Sequence, residues 1–225
     1  DRLELKTSDQ TDLVLVKDAG QWYISEPIRY PANRPVIDDM LGKIGGFTIE
    51  NTISQQLETH PSFGLDSLSG FDVRIFQNGK MAGEMVIGKV DNDWSHTYVK
   101  EKDQKEVYLL NGNIGYVFRR SLRDWRDKTI LKLDQEQVKQ ITIQQIDQPE
   151  LIFQKNDSLW QVESNSRKAQ AKSTIMAQIL SSLSNLLTAD FADDTLQLSF
   201  DSPQLTLSAE MTNGEKQTLI GIPAD

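Results

Sequence analysis

Apolar and polar residues alternate along several short stretches of the chain, and turn-forming residues separate these stretches. Leu13 and Leu15 are separated by one residue, and so are Trp22 and Ile24. Residues 17–20, which lie between the two pairs, read KDAG. Successive side chains of a strand point to opposite faces, so this pattern predicts two strands of a hairpin. Gly20 can supply the positive φ that the turn needs.

The same pattern returns in the second half of the chain. Residues 154–158, QKNDS, are typical of a turn, and Trp160 follows them 138 residues after Trp22. Two pairs of apolar residues alternate here: Ile141 with Ile143, and Leu151 with Phe153.

Each predicted hairpin is followed by apolar residues at the spacing of an amphipathic helix. The first helix is expected to begin at Pro35, which suits a first turn, and to end near Gly45. The second is expected to begin at Ser173 as its N-cap. The predicted apolar faces are Val36, Ile37, Met40, Leu41, Ile44 and Phe47, and Ile175, Met176, Ile179, Leu180, Leu183 and Leu186.

A third block also recurs, because residues 71–91 and 203–225 both read as strand, Asn-Gly, strand and then Ile-Gly. Asn-Gly strongly favours a two-residue hairpin turn. Three blocks in one order predict an internal duplication. We therefore predict an α+β fold of two related modules, each an antiparallel sheet with one docked amphipathic helix. Residues 1–131 form the first module and residues 132–225 a shorter second copy.

The first module is expected to be the longer because a further hairpin pattern follows residue 91. Residues 92–110, NDWSHTYVKEKDQKEVYLL, read as that hairpin, and residues 111–131 are expected to form a linker helix that leads out of the module.

Charge and composition restrict the partners and the compartment. The net charge is -9, which argues against nucleic acid, whose phosphates need a basic surface. The chain has no cysteine, so disulfides and thiolate chemistry are excluded. Its sequence contains no apolar run of the length that spans a bilayer. It begins at Asp1, and we expect membrane contact only through an N-terminal anchor that precedes that residue.

Six short motifs occur in order along almost the whole chain: WYISEP at 22–27, FGLD at 63–66, VIGK at 86–89, TYVK at 97–100, VYLL at 107–110 and LRDWRDKTIL at 122–131. Their order resembles the bacterial family called domain of unknown function 4340. The second half departs from it, since no proline follows Trp160 closely and no second FGLD occurs. The resemblance implies a periplasmic or envelope-facing, membrane-anchored protein, associated in some members with ABC transporters of the gliding-motility type. It implies no catalytic residue.

Candidates for catalysis or metal binding are few. His60 precedes Pro61 in an expected loop, and Trp94, His96 and Tyr98 are expected on one strand face as possible ligand contacts. Spacing shows no carboxylate partner for either histidine, so we expect both to lie away from carboxylate clusters. Residues 91–94, DNDW, lack the glycine and glutamate of a calcium loop and are expected to form a hairpin turn. Asp38–Asp39 and Asp193–Asp194 are adjacent pairs and are expected to be solvated.

Residues 119–128 form the densest basic stretch of the chain. Arg119, Arg120, Arg123 and Arg126 lie at near-helical spacing with Trp125 among them. Arginine and tryptophan are enriched at interface hot spots, so Arg119, Arg123, Trp125 and Arg126 are the candidate contacts. One interpretation is a partner-binding surface at the junction of the modules. The other is a linker helix whose arginines pair with neighbouring aspartates.

The sequence contains no GxSxG, phosphate-binding loop or HExxH motif. We therefore expect no catalytic residue, cofactor or metal. The expected role is a non-catalytic, envelope-facing accessory or scaffold protein of a membrane transporter complex, whose partner is the transporter or another envelope protein. The alternatives are a binding module for a glycan, peptide or lipid, and a hydrolase with an unrecognised site.

Overall fold

A computed structural model describes residues 1–6, 11–192 and 197–223. The chain divides into two compact units, Asp1–Asp127 and Lys128–Asp225. The division falls slightly before the predicted boundary because residues 129–131 pair with a strand of the second unit. Both units are mainly antiparallel sheet, with three α-helices in the first and one in the second among the described residues, so the predicted α+β class is confirmed.

The first unit is built on one antiparallel sheet, which has nine strands among the described residues, in the order β4-β3-β2-β1-β6-β7-β8-β9-β5. The strands are β1 (Arg2–Lys6), β2 (Asp12–Asp18), β3 (Gln21–Glu26), β4 (Tyr30–Pro31), β5 (Ile49–Ser54), β6 (Phe71–Gln77), β7 (Lys80–Val90), β8 (His96–Glu101) and β9 (Val107–Asn111). The predicted hairpins β2–β3, β6–β7 and β8–β9 all form.

Three helices cover one face of this sheet: α1 (Arg34–Gly45), α2 (Gly115–Phe118) and α3 (Leu122–Trp125). Helix α1 ends where the glycines predict, and Val36, Ile37 and Met40 are its buried residues. They share a core with the inward residues of the strands and with Phe118 and Trp125. Burying a side chain of this size stabilises the fold by about 1.5–3 kcal/mol, so the core holds the helices to the sheet.

A smaller apolar cluster lies on the opposite face of the same sheet. It contains Leu65, Val86 and Val107, with Phe63 and Tyr98 against it. Val86 and its neighbour Ile87 belong to different clusters, as the alternation of side chains along a strand requires. A 3-10 helix, Leu57–Phe63, leads into this cluster.

The second unit is also mainly antiparallel sheet, with fewer strands among the described residues. Its larger sheet has six strands among the described residues, in the order β14-β13-β12-β11-β16-β17, and β10 pairs with β15. These elements are β10 (Thr129–Leu131), β11 (Val138–Gln145), β12 (Leu151–Asn156), β13 (Leu159–Ser164), β14 (Arg167–Gln170), α4 (Ser173–Ser184), β15 (Leu186–Leu187), β16 (Leu205–Met211) and β17 (Lys216–Gly221). Met176 and Leu183 of α4 join Phe153 and Trp160 in its core.

Three local expectations are wrong. Residues 111–131 do not form one linker helix: they contain two helices of four residues and strand β10, because Phe118 and Trp125 are buried in the core of the first unit. Ser173 is the first helical residue, and Lys172 is the N-cap. Leu186 lies in β15 rather than on the helix, since α4 ends at Ser184.

In the ranges that the structure describes, no helix has the length and apolar character needed to span a bilayer.

Candidate functional site

The most concentrated set of chemically capable side chains lies where β7 turns into β8. Asp91 and Asp93 belong to that turn, and His96 is the first residue of β8. Glu50 comes from β5, which is separated from β8 by β9 alone. Antiparallel pairing of β9 with both neighbours brings Glu50 to the end of the sheet that holds the turn. Two separate stretches of sequence, residues 91–96 and strand β5, therefore contribute to one cluster.

Carboxylate oxygens face both nitrogens of the His96 ring. Asp91 Oδ2 lies 2.7 Å from Nδ1, and Glu50 Oε2 lies 3.0 Å from Nε2. Asp93 Oδ1 lies 3.9 Å from Nδ1. The side chains of His96 and Asp91 are 22% and 14% exposed, so this network is partly shielded from solvent. One ligand atom from each of Asp91, Asp93 and His96 can be chosen so that all three lie within 4.8 Å of one another.

The turn itself is held by the same carboxylates. Asp91 Oδ1 accepts the backbone N–H groups of Ser95 and His96, at 3.0 and 3.1 Å. Asp93 Oδ1 accepts the Ser95 N–H and hydroxyl. Trp94 adopts a φ of 65°, a left-handed conformation that is uncommon for a large residue. The prediction of a hairpin turn at residues 91–94 is therefore confirmed.

The pKa values of two cluster members move away from their ordinary values. The hydrogen bond with Asp91 raises the pKa of His96 above 6.5, and the charges of Glu50, Asp91 and Asp93 act in the same direction. Hydrogen bonds from the Ser95 hydroxyl and N–H lower the pKa of Asp93 to about 2. Both pKa shifts favour the charged form: hydrogen bonds from Ser95 stabilise the Asp93 carboxylate, and contact with carboxylates stabilises the protonated His96 ring.

We expect the imidazole of His96 to titrate above pH 6.5 in metal-free buffer, and Asp91→Asn to lower its pKa. Because the folded pKa is the higher one, the stability that protonation of His96 contributes is present below pH 6.5. It is lost as the pH rises through the folded pKa. NMR titration of the two histidine rings measures this, with His96→Gln for assignment and Asp103→Asn as a control. A wild-type pKa at or below 6.5 would contradict the prediction.

The expectation that His96 lies away from carboxylates is wrong, because the turn curls Asp91 back onto the ring. His60 has a different environment: it is buried, and its Nε2 lies 3.0 Å from the Lys105 carbonyl oxygen. Asp91 and His96 flank a predicted tight turn, so their pairing could have been inferred. Glu50 could not, since only the β5–β9 pairing brings it near.

The proposed ligand contacts on β8 separate in the structure. Trp94 lies in the turn rather than on the strand, and is 69% exposed. Tyr98 remains on the His96 face of β8, but its ring packs against Phe63 with centroids 4.7 Å apart. The three residues therefore do not form one shared contact surface.

The basic stretch is not an exposed partner-binding surface as a whole. Trp125 is fully buried and Arg126 is 7% exposed, its guanidinium lying over the Tyr30 ring. Arg119 donates from Nη2 to the carbonyl oxygens of Ile87 and Gly88, at 3.3 and 3.1 Å, and burial lowers its pKa. Arg123 is exposed. A partner contact through Trp125 and Arg126 is therefore wrong, since both side chains are buried within the first unit.

The adjacent aspartates act separately, as expected for neighbours on a helix. Asp38 pairs with Arg34 at 3.4 Å, one turn earlier on α1. Asp39 pairs instead with Arg120 at 3.1 Å. The pair at residues 193–194 lies outside the described residues.

A cavity of about 560 Å³ lies in the second unit, beside the first turn of α4. Trp160, Leu159, Gln170 and Lys172 are among the residues that line it. The sequence pattern at these residues indicates a strand and the start of a helix, and it gives no signal of a cavity.

The fold and the cluster define an α+β protein of two antiparallel-sheet units, with a carboxylate–imidazole cluster on the first. The chain belongs to the family described as Domain of unknown function (DUF4340), whose model matches residues 22–219. This confirms the family predicted from the sequence motifs. No curated protein matches the chain, and no solved structure matches it.

Proposed function

We propose that this chain is a non-catalytic, envelope-facing accessory or scaffold protein of a membrane transporter complex. Support comes from the family resemblance, which implies a periplasmic protein held by an anchor. The net charge of -9 supports a protein partner over a nucleic acid. Binding by backbone and surface complementarity needs no cofactor and no catalytic group.

We further propose that the two units are copies of one module. The strand orders β4-β3-β2-β1-β6-β7 and β14-β13-β12-β11-β16-β17 correspond element for element. The carbonyl of Trp22 accepts the Ala32 N–H at 3.0 Å, and that of Trp160 accepts the Ala171 N–H at 2.9 Å. In both units, the tryptophan of the hairpin therefore accepts a backbone hydrogen bond from an alanine that follows it in the chain. This correspondence supports a common origin of the two units.

The observation that carries the scaffold proposal is the outer edge of β17. In the first unit the corresponding strand, β7, pairs with β8 on that side. Among the described residues, β17 pairs with β16 and with no other strand. An edge strand presents unpaired backbone groups, and adding a partner strand there is a common mode of peptide recognition. Lys216, Thr218 and Ile220 are the exposed side chains along this strand.

Site-specific photo-cross-linking tests the proposal in bacterial cells that express the full-length protein. A photoreactive residue at position 218, on β17, is expected to give a product that contains an integral membrane subunit of a transporter. The same residue at position 80, the exposed first residue of β7, is the matched control and is expected to give at least several-fold less of that product.

Equal products from both positions, or no product with a membrane protein from position 218, would contradict the scaffold proposal. Products with soluble proteins alone would do so as well, because the proposed partner resides in the membrane.

The cavity beside Trp160 favours a second candidate function, a binding module for a glycan, peptide or lipid. Ligand cavities commonly have volumes of about 300–1,000 Å³ and combine apolar walls with a few polar groups. Leu159 and Trp160 supply apolar wall, and Gln170 and Lys172 supply polar groups. Saturable quenching of tryptophan fluorescence by a glycan or peptide, lost in Trp160→Phe, would support this alternative.

A further inference from the structure

The cluster at the β7–β8 turn offers one nitrogen and two carboxylate donors on one side of an imidazole ring. Asp91 Oδ2 and Asp93 Oδ1 lie 2.7 and 3.9 Å from His96 Nδ1. An ion that binds nitrogen and oxygen donors at about 2.0–2.2 Å keeps tetrahedral ligands about 3.4 Å apart. The observed separations lie on both sides of that value, so the three donors are already close to the spacing that one shared ion requires.

Glu50 occupies the opposite side of the ring. Its Oε2 lies 3.0 Å from Nε2 and accepts a hydrogen bond when that nitrogen carries the proton. This leaves the lone pair of Nδ1 directed toward Asp91 and Asp93. A carboxylate that accepts the outer N–H of a ligating histidine is the usual second shell of a metal site, where it fixes the ring and its tautomer. Glu50 belongs to a different strand from the turn, so it is not part of the turn's own hydrogen bonding.

The charges also leave a place for a cation. Glu50, Asp91 and Asp93 carry three formal negative charges, and each ion pair they form within the described part of the chain is with His96. In the metal-free protein, a proton on Nδ1 bridges the 2.7 Å gap to the Asp91 carboxylate. A divalent cation can displace that proton, because the Nδ1 lone pair and the carboxylates of Asp91 and Asp93 then face the same ion.

We propose that Asp91, Asp93 and His96 bind a divalent transition-metal ion, with Glu50 orienting the histidine from the second shell. The imidazole donor favours zinc and its neighbours over calcium or magnesium, which prefer oxygen donors throughout. Three protein ligands leave a coordination position open for water or for a side chain of a bound protein.

Asp91 can serve the turn and the ion together. Its Oδ1 accepts the two backbone N–H groups that shape the turn, whereas Oδ2 faces the ring. A metal ion on the Oδ2 side therefore does not require the turn to open.

Titration of ZnCl2 into the chelator-treated full chain, followed by calorimetry, tests the proposal. We expect one equivalent of Zn²⁺ to bind. His96→Gln and Asp93→Asn are expected to weaken binding by at least 10–100-fold, and Glu50→Gln by about 10-fold. Asp103→Asn, an exposed carboxylate in the β8–β9 turn, is the matched control and is expected to leave binding unchanged.

NMR of the two histidine rings locates the ion, since Zn²⁺ is expected to shift the His96 signals and leave those of His60 in place. Asp93→Asn keeps an oxygen that can accept the Ser95 N–H, so the turn is expected to survive, and circular dichroism checks this. The proposal is wrong if the wild-type chain binds no stoichiometric Zn²⁺. It is also wrong if folded His96→Gln and Asp93→Asn bind as the wild type does.

Discussion

Replacing Trp125 by alanine is expected to lower the free energy of unfolding of the first unit by about 3–5 kcal/mol, the range for removing a buried large aromatic side chain. Trp125 is fully buried and shares its core with α1 and the sheet. The substitution leaves a cavity that the surrounding residues can fill only in part. For a unit of this size the melting temperature should fall by about 10–20 °C. Urea denaturation of the full chain, followed by circular dichroism, measures the change.

Trp94→Ala is the matched control for that experiment, because the chemical change is the same and Trp94 is 69% exposed. We expect its effect to stay within about 0.5 kcal/mol. Equal effects of the two substitutions would contradict the buried position of Trp125. A loss of partner binding with unchanged stability in Trp125→Ala would instead support an interface role for that residue.

Gly88→Ala is expected to destabilise the first unit by about 1–3 kcal/mol, through overpacking rather than through a cavity. An added Cβ would lie 2.3 Å from the Phe63 carbonyl oxygen and 2.9 Å from Leu65 Cδ2. The first contact is with backbone, which cannot rotate away as a flexible side chain can. The segment around residues 63–65 must therefore move off the sheet. Thermal denaturation of the full chain measures the loss.

Gly83→Ala provides the control on the same strand, β7, because a Cβ there meets no atom within 4 Å. Alanine restricts the unfolded chain more than glycine does, so we expect unchanged or slightly higher stability, by up to about 1 kcal/mol. If Gly88→Ala were as well tolerated as Gly83→Ala, the close approach of residues 63–65 to β7 would be contradicted.

The sequence by itself determined the local elements with strong periodicity. The β2–β3 hairpin and its KDAG turn, the Asn-Gly hairpin β6–β7 and helix α1 all form where the pattern places them. In each case neighbouring residues contain the required information. A turn needs positive φ at one or two positions, as at Ala19 and Gly20, and a helix needs one apolar stripe.

Short or weakly patterned segments were not predictable in this way. Strand β5 is exposed along almost its whole length, so it shows no alternation of apolar residues. Helices α2 and α3 have four residues each, fewer than propensity alone can stabilise. They exist because Phe118 and Trp125 are buried in the first unit's core, and a contact of that kind leaves no local periodicity.

Only the tertiary structure decided the candidate site. Composition and spacing distinguish His96 and the DNDW turn but give them no common role, and no pattern in the sequence marks Glu50. The pairing of β5 with β9, and of β9 with β8, joins these residues. Pairing between strands that are distant in sequence depends on how the whole sheet packs around its core. The chemistry of the cluster therefore follows from strand order, whereas the hairpins on which it stands follow from the local pattern of the chain.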